Sequence, residues 1–223
     1  MAAITWDGTG ERFYESGVSK GVLYVQNTDG TYQNGVAWNG LTAVNESPEG
    51  AEPTDLWADN IKYATLISAE TFNATIEAYT YPNEFMQCDG SYVPADGVYI
   101  GQQERKNFGF CYRTEVGNDV STSAGYKIHI IYGCTAAPSA RDYATINDSP
   151  DAITLSWEVR TTPVNVTGKK PTASITIDTT KLSETARTTY LPVLETKLYG
   201  GTNSSATLPT PDTVISIITT GQE

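Results

Sequence analysis

The side chains best suited to chemistry in this sequence are a single histidine and several carboxylates. His129 lies in an alternating segment with Lys127 and Ile131, on the face opposite Tyr126 and Ile128. An imidazole can act as a general base or a metal ligand, but either role needs partner groups that no motif here supplies. We therefore interpret His129 as a hydrogen-bonded strand residue and predict no catalytic residue around it.

Two carboxylate pairs, Glu84 with Asp89 and Asp148 with Asp151, could in principle carry out glycosidase chemistry. They lie beside Asp-Gly or Ser-Pro turn signals, where acids commonly cap or solvate loops. No nucleophile elbow and no phosphate-binding glycine loop is present in the sequence. A small β-fold glycoside hydrolase stays open as a minor hypothesis, which predicts turnover that is lost when one carboxylate is removed.

The three cysteines, Cys88, Cys111 and Cys134, are odd in number and widely spaced, and no CxxC motif is present. With one histidine as the only nitrogen partner, the spacing does not fit a zinc site. We predict buried or free thiols in a reducing cytoplasm, no metal site and no cofactor site.

Composition bounds the function further. The chain has 223 residues, with 14 basic and 26 acidic side chains and a formal net charge of -12. A nucleic-acid binder would need Lys and Arg to neutralise phosphates, so tight DNA binding is disfavoured. The length suits one domain over residues 1–223. No basic segment followed by an apolar run begins the sequence, so we expect no export signal and no membrane span.

Period-two alternation dominates the chain, which predicts a mainly β fold. It is clearest from Asp151 to Thr161, where Ile153, Leu155, Trp157 and Val159 share one face. We predict Trp157, Tyr126 and Tyr132 as core. Asp-Gly and Asn-Gly pairs between the runs favour antiparallel hairpins. Further strands are predicted around Val22 to Val25, Val36 to Val44, Ala74 to Ala78, Tyr126 to Tyr132, Ala173 to Ile177 and Val214 to Ile218.

Three segments depart from this alternation. Asn45 to Asn60 is acidic and contains two prolines, so we predict a long loop, with Trp57 as an intersubunit anchor. Ser183 to Tyr199 has apolar residues every four positions, which predicts a helix that begins after Ser183 and is interrupted at Pro192. One or two helical turns are also predicted at 81–87.

Eight stretches of the chain carry a further signal when they are taken together. They are YESGVSKGVLY (14–24), GVAWNGL (35–41), ADNIKYA (58–64), YPNEFMQCDG (81–90), GVYIGQQERKNFGFCYRTEV (97–116), GYKIHIIYG (125–133), INDSPDAITLSW (146–157) and 194–215 with its LYG and LPTPDTVI. In this order they resemble the major tail proteins of long-tailed, non-contractile phages of Gram-positive bacteria. The likeness covers nearly the whole chain, and its specificity lies in the number of segments.

The resemblance implies a virion protein with an antiparallel β-sandwich or barrel-like tail tube fold, a flanking α-helix and extended arms. It implies six-membered rings that stack into a tube, assembled in the host cytoplasm. Residues 45–60 and the arms at 1–19 and 202–223 would bridge rings, with Pro53, Asp55, Leu56 and Trp57 as contact candidates. Glu70 and Glu77 are candidates for the acidic lumen, through which DNA passes without specific binding. Implied partners are the chain itself, a tape-measure protein, and the tail terminator and distal tail proteins.

Two other functions stay open from the sequence. The abundance of Thr, Tyr and Asn also fits a carbohydrate-binding β-sandwich adhesin, which glycan retention would reveal. The chain could also be the tube protein of a contractile tail or a ring at the tail terminus.

Overall fold

A computed structural model of the chain describes residues 3–146, 148 and 151–221. It is mainly β, with antiparallel pairing throughout the strands it describes, which confirms the predicted fold class. The main sheet has eight strands in the order β2-β1-β9-β10-β11-β6-β3, and β12 also pairs with β10. The strands are β1 (Tyr14–Val25), β2 (Val36–Trp38), β3 (Leu41–Glu49), β4 (Pro53–Ala58), β5 (Ile61–Ile67), β6 (Thr71–Ala78), β7 (Tyr92–Ala95), β8 (Val98–Ile100), β9 (Phe108–Gly117), β10 (Gly125–Ala136), β11 (Leu155–Thr161) and β12 (Ser174–Asp178).

The main sheet folds over so that its two halves enclose an aromatic core. Trp38 stacks edge-on against Trp157 and Phe110, each at 5.5 Å between ring centroids. Phe85 enters the same cluster from a 3-10 turn at Asn83–Gln87, close to the predicted helical turn at 81–87. Edge-to-face rings match the positive edge of one aromatic to the negative face of another. Aromatic side chains from both layers of the sandwich therefore pack into one core.

The alternation of β10 separates two cores. Ile131 faces the aromatic interior, whereas Ile128, Ile130 and Tyr132 face outward against two helices. The long β10 pairs with β12 at its start and β11 at its end. Gly133, at a φ of 58°, lies at this changeover, and a Cβ there would stand 2.3 Å from the Thr162 carbonyl oxygen. Only glycine fits so close an approach of two strands.

The predicted helix at 183–199 is confirmed. The Ser183 hydroxyl accepts a hydrogen bond from the Ala186 amide and so caps the first turn. A π-helical turn at Ala186–Tyr190 then precedes α1 (Leu191–Tyr199), which places Pro192 in the first turn of α1. The Leu191 amide still donates to the Ala186 carbonyl, five residues back, and Pro192 has no amide to continue this pattern. The wide π turn therefore lies where the proline interrupts the hydrogen bonding of the helical segment.

The strand predicted at Val214–Ile218 is wrong, because this segment lies inside α2 (Pro211–Thr220). The Thr210 hydroxyl accepts from the Thr213 amide at 3.3 Å and caps the helix. Val214 and Ile217 are three residues apart, so a helix turns both onto one face, and they are buried against the sheet. Tertiary packing overrides the strand preference of these β-branched residues.

The long loop predicted at 45–60 is also corrected. The segment comprises the second half of β3, the strand β4 and a two-residue turn into β5. The single strand expected from Val36 to Val44 is divided at Asn39–Gly40 into β2 and β3. At the other predicted arm, residues 14–19 already pair with β9, which leaves 3–13 as the described extension. Residues 1–2, 222 and 223 of the predicted arms lie outside the described part of the chain.

Most of the predicted buried faces of the strands are confirmed. Trp157, Val159 and Tyr132 are buried, whereas Tyr126 is only half-buried. The strand expected from Asp151 begins instead at Leu155, and Ile153 is exposed before it.

Candidate assembly surfaces

The β4–β5 hairpin (Pro53–Ile67) forms a separate two-stranded sheet that is not hydrogen-bonded into the main one. Asp59 and Asn60, with φ values of 52° and 65°, form its turn. Two successive positive φ values give the tight turn whose twist matches that of paired strands. An isolated two-stranded ribbon is only marginally stable in water, so we expect this hairpin to be stabilised by packing against another layer.

One face of this hairpin is apolar. Cross-strand partners share a face, and the register pairs Leu56 with Ala64, Thr54 with Leu66, and Ala58 with Ile61. Leu56, Ile61 and Leu66 are exposed, Ile61 to 64%. Apolar side chains clustered on an uncovered face typically mark a contact surface.

The other face is held by a polar network. Lys62 Nζ lies 2.7 Å from Asp55 Oδ1, and the Thr65 hydroxyl donates to the same oxygen at 2.9 Å. The Lys62 ammonium, together with the Thr65 hydroxyl, lowers the pKa of Asp55. Trp57 pairs with Lys62 on this side and is 68% exposed. This polar face also carries the Pro53–Ile67 pair, with Ile67 70% exposed. The opposite face is apolar apart from Thr54.

A second hairpin, β7–β8 (Tyr92–Ile100), is also outside the main sheet. It turns at Asp96-Gly97, one of the Asp-Gly pairs that the sequence marks, with Gly97 at a φ of 80°. Several of its apolar side chains are exposed: Tyr92, Val93, Val98, Tyr99 and Ile100. It offers a second uncovered apolar surface.

The root of the β7–β8 hairpin is fixed by a charged group. Asp89 accepts from Arg141 at 2.5 Å and lies 3.8 Å from Arg105, whose guanidinium also donates to the Ala136 carbonyl at 2.9 Å. Burial raises the pKa of Asp89 despite these two cations. Asp89 is therefore a structural anchor of the hairpin, held in ion pairs with two arginines rather than solvated in a turn as the sequence suggested.

A third surface is the outward face of β3, β6 and β11, which we call the bare sheet face. The register aligns Ala43, Glu77 and Ser156 across the three strands, and the neighbouring rows are built the same way. Residues of this face are small, polar or acidic and are at least partly exposed. The further members are Asn45, Ser47, Glu49, Asn73, Thr75, Glu158 and Arg160.

The structure brings the four predicted contact residues together on β4, although as part of a hairpin. Leu56 lies on its apolar face, whereas Pro53, Asp55 and Trp57 lie on the polar face. Of the two lumen candidates, Glu77 belongs to the bare sheet face, and its carboxylate lies 3.5 Å from the Asn45 amide. Glu70 is exposed just before β6 begins and lies outside that face.

Sequence reasoning missed half of the apolar surface. The β5 residues Ile61 and Leu66 and the whole β7–β8 hairpin were not predicted as contacts. The signals were present, since Asp59-Asn60 separates two runs that can alternate, and Asp96-Gly97 is flanked by β-branched and aromatic residues.

The residues first considered for chemistry divide into a buried set, the histidine and the cysteines, and carboxylates that are exposed or partly exposed, Glu84 being exposed and Asp89 half-buried. His129 is buried beside Thr114 and Thr176, as the strand interpretation predicts. The cysteines are buried and free, and burial raises the pKa of Cys88 and Cys111 to about 12. Asp148 and Asp151 are both exposed. In the described ranges, no cluster of three metal-ligating side chains occurs. Nor is any helix there long and apolar enough to cross a membrane.

No protein-family model matches the sequence, and no curated protein is similar to it. Among solved structures, a chain in the cryo-EM structure of the anti-feeding prophage baseplate, six-fold symmetrised, is similar in backbone. The match covers 80% of this chain and 100% of that one, with 10% sequence identity and a TM-score of 0.37. A likeness at this level carries no argument about function.

Proposed function

We propose that this chain is a structural subunit of a bacteriophage tail tube, in which copies form rings and the rings stack into a conduit for DNA. The observation that carries the proposal is the β4–β5 hairpin, whose apolar face has no covering layer among the described residues. The sequence resemblance to major tail proteins supports the choice of assembly. In this proposal the protein is part of the virion and is not an enzyme.

A second copy of the chain is the proposed occupant of the hairpin. Leu56, Ile61 and Leu66 share one face of the hairpin, and the β7–β8 hairpin and residues 3–13 add exposed apolar side chains elsewhere. Several different uncovered patches on one chain fit head-to-tail contacts, in which each copy offers one patch and receives another. Such contacts build closed rings or filaments. Bridging between rings by residues 45–60 and by the N-terminal arm is the finer part of this proposal.

The bare sheet face is the proposed lumen surface. Its carboxylates at Glu49, Glu77 and Glu158 outnumber the one guanidinium at Arg160, which pairs with Glu158 at 3.3 Å. An acidic wall of short side chains would repel phosphates and offer no cationic trap to passing DNA. Glu77 is therefore the better of the two lumen candidates, and a tape-measure protein and the tail-end proteins stay predicted partners.

The test is electron microscopy of the purified chain over a concentration series, with a matched pair of variants. We expect uniform hollow tubes from the unmodified protein. Ile61→Lys places a charge on the apolar hairpin face and is expected to abolish tubes. Ile153→Lys makes the same change at an exposed isoleucine before β11, outside the predicted bridging segments, and is expected to leave them intact.

Three results would contradict the proposal. A chain that stays monomeric at every concentration, with or without added tape-measure protein, would rule out the tube. Tubes from Ile61→Lys would show that the apolar hairpin face is not the contact. Retention of the monomer on immobilised glycans would instead favour the carbohydrate-binding alternative.

A further inference from the structure

The main sheet does not close completely. β1 and β3 run side by side, but among the described strands neither uses the other as a hydrogen-bonded partner. We call the gap between residues 14–20 of β1 and Leu41–Glu49 of β3 the seam. Two clefts of about 350 and 400 Å³ lie along it. Side-chain contacts, rather than a backbone ladder, hold these two edges together.

The β1 side of the seam is also irregular. Its pairing with β9 shifts register between Ser16 and Ser19 and again between Ser19 and Val22. Lys20 lies in the left-handed region with a φ of 51°. Each interruption removes ladder hydrogen bonds and bends the strand, so this half of β1 is less firmly paired than the half at 22–25.

The floor of the larger cleft holds the only histidine of the chain between two carboxylates. His129 Nε2 lies 3.4 Å from Glu15 of β1, and Nδ1 lies 3.6 Å from Glu46 of β3. The imidazole stacks on Tyr112 at 4.6 Å between ring centroids and 5° between planes. The Tyr112 hydroxyl donates to Glu46 at 2.6 Å. One ring therefore reaches both edges of the seam.

Other charged and polar groups around the ring come from β9, β10 and β12. Thr114 lies 3.0 Å from Nε2, and Thr176 lies 3.4 Å from Nδ1. Lys127 pairs with Glu15 at 2.5 Å, and Asp178 acts on Lys127 from β12. With a neutral imidazole, the carboxylates of Glu15, Glu46 and Asp178 outnumber the Lys127 ammonium in this cluster. A protonated imidazole would reduce that negative excess.

We propose that His129 is a proton-operated clasp that holds the β1–β3 seam closed when it is charged and loosens it when it is neutral. Imidazole is the side chain that ordinarily changes charge between about pH 5 and 8. Its protonation adds an attraction between the ring and the two carboxylates, which lie 3.4 and 3.6 Å from its nitrogens. This inference stands on the folded chain and does not depend on the tube proposal. It matters for assembly because Glu15 follows the N-terminal arm and Glu46 precedes the β4–β5 hairpin.

The test is hydrogen exchange of the full-length protein below its assembly concentration, at pH 6 and pH 8, corrected for the intrinsic pH dependence of exchange. We expect amides 14–20 and 41–46 to be roughly twofold to fivefold more protected at pH 6, the range for partly exposed ion pairs. His129→Gln keeps a hydrogen-bonding side chain that cannot be protonated and is expected to abolish the difference. Glu158→Gln, which removes a carboxylate from the bare sheet face, is expected to preserve it.

Two further measurements keep the clasp testable if His129→Gln fails to fold. The single histidine gives one imidazole NMR signal, which should titrate in parallel with the seam protection. Glu46→Gln should reduce the protection difference by removing one of the two carboxylates. Equal seam protection at both pH values, or a pH difference that survives in His129→Gln, would overturn the clasp.

Discussion

The C-terminal segment and the β4–β5 hairpin look alike in sequence, but only one of them finds a partner within the chain. Both carry β-branched and apolar residues next to prolines, and the tail tube resemblance makes both bridging arms. In the structure, Val214 and Ile217 of α2 are buried against the sheet, whereas Leu56 and Ile61 of the hairpin are exposed. Apolar composition indicates that a segment needs a partner, and the fold decides whether that partner is the same chain.

The difference follows from where each segment is attached. α2 follows α1, which already lies on the outer face of the sheet, and the Tyr132 hydroxyl donates to the Pro209 carbonyl at 3.0 Å just before it. The hairpin instead extends from the far ends of β3 and β6, beyond the aromatic core. A two-stranded ribbon that extends beyond the main sheet cannot bury its apolar face against the rest of its own chain.

The largest expected effect tests the buried side of this comparison. Ile217 is fully buried and packs with Leu194 and Val214, so Ile217→Ala removes apolar contacts and leaves a cavity. We expect the free energy of unfolding to fall by about 3 kcal/mol, measured by urea denaturation of the unassembled chain. Ile215→Ala, at a 46% exposed position of the same helix, is the control and should cost under about 1 kcal/mol. Equal losses in both variants would show that α2 is not docked as described.

The next effect concerns a hydrogen bond that joins sheet and helix. The buried Tyr24 hydroxyl donates to the Leu198 carbonyl at the end of α1, at 2.5 Å, and burial raises the pKa of Tyr24. Tyr24→Phe leaves that carbonyl without this donor and should cost about 1 to 2 kcal/mol of unfolding free energy. Tyr63→Phe removes the same hydroxyl from the exposed hairpin and should be neutral. A costly Tyr63→Phe would mean that the hairpin packs on its own body.

These two regions also show what the sequence could reveal. Alternation located most strands and their faces, because a half-buried strand exposes every second residue. In β11, Glu158 is exposed between the buried Trp157 and Val159. The Ser183 cap and the spacing of Leu194 and Leu198 located the helix before Gly200. Patterns of this kind are local, so a single sequence carries them.

The candidate site was less predictable, because its character depends on distant contacts. Val214 to Ile218 fits a strand or one face of a helix equally well over five residues, and only the sheet beneath it decides. Residues 45–60 were predicted as a loop because Pro48 and Pro53 disfavour central strands, yet Pro48 is on an edge strand and Pro53 starts one. Of the bare sheet face, only Glu77 was predicted, because the rest requires knowing which strands lie side by side and which face of them is uncovered.

A smaller effect tests whether the root of the hairpin belongs to the folded body. The contact with His129 lowers the pKa of Glu46, against the opposing effect of burial. Burial alone would raise the pKa of Glu15, but the contacts with Lys127 and Thr114 outweigh burial, so the pKa of Glu15 is also lowered. Because the folded values are depressed, their stabilisation is complete above the unfolded value of about 4.3 and is lost as pH falls through the folded value.

We therefore expect the urea midpoint to fall as the solution is acidified below about pH 4.3, and to fall less in Glu46→Gln. At pH 7 that variant should cost under about 1 kcal/mol, because both carboxylates are about one-third exposed. Glu70→Gln, at an exposed position before β6, serves as the control and should follow the unmodified protein. Identical acid profiles for all three proteins would place Glu46 outside the stabilising cluster.

The smallest effect on folding is expected at the largest exposed side chain of the hairpin. Trp57 is 68% exposed, so Trp57→Ala should change the free energy of unfolding by no more than about 0.5 kcal/mol, followed by circular dichroism of the unassembled chain. If a second copy covers Trp57, the same variant should raise the concentration needed for tubes, because a buried aromatic contributes strongly to an interface. Trp57→Ala would then weaken assembly without lowering stability, whereas Ile217→Ala would lower both. A loss of stability at Trp57 comparable to that at Ile217 would remove the distinction between the two regions, because the hairpin would then be part of the chain's own core.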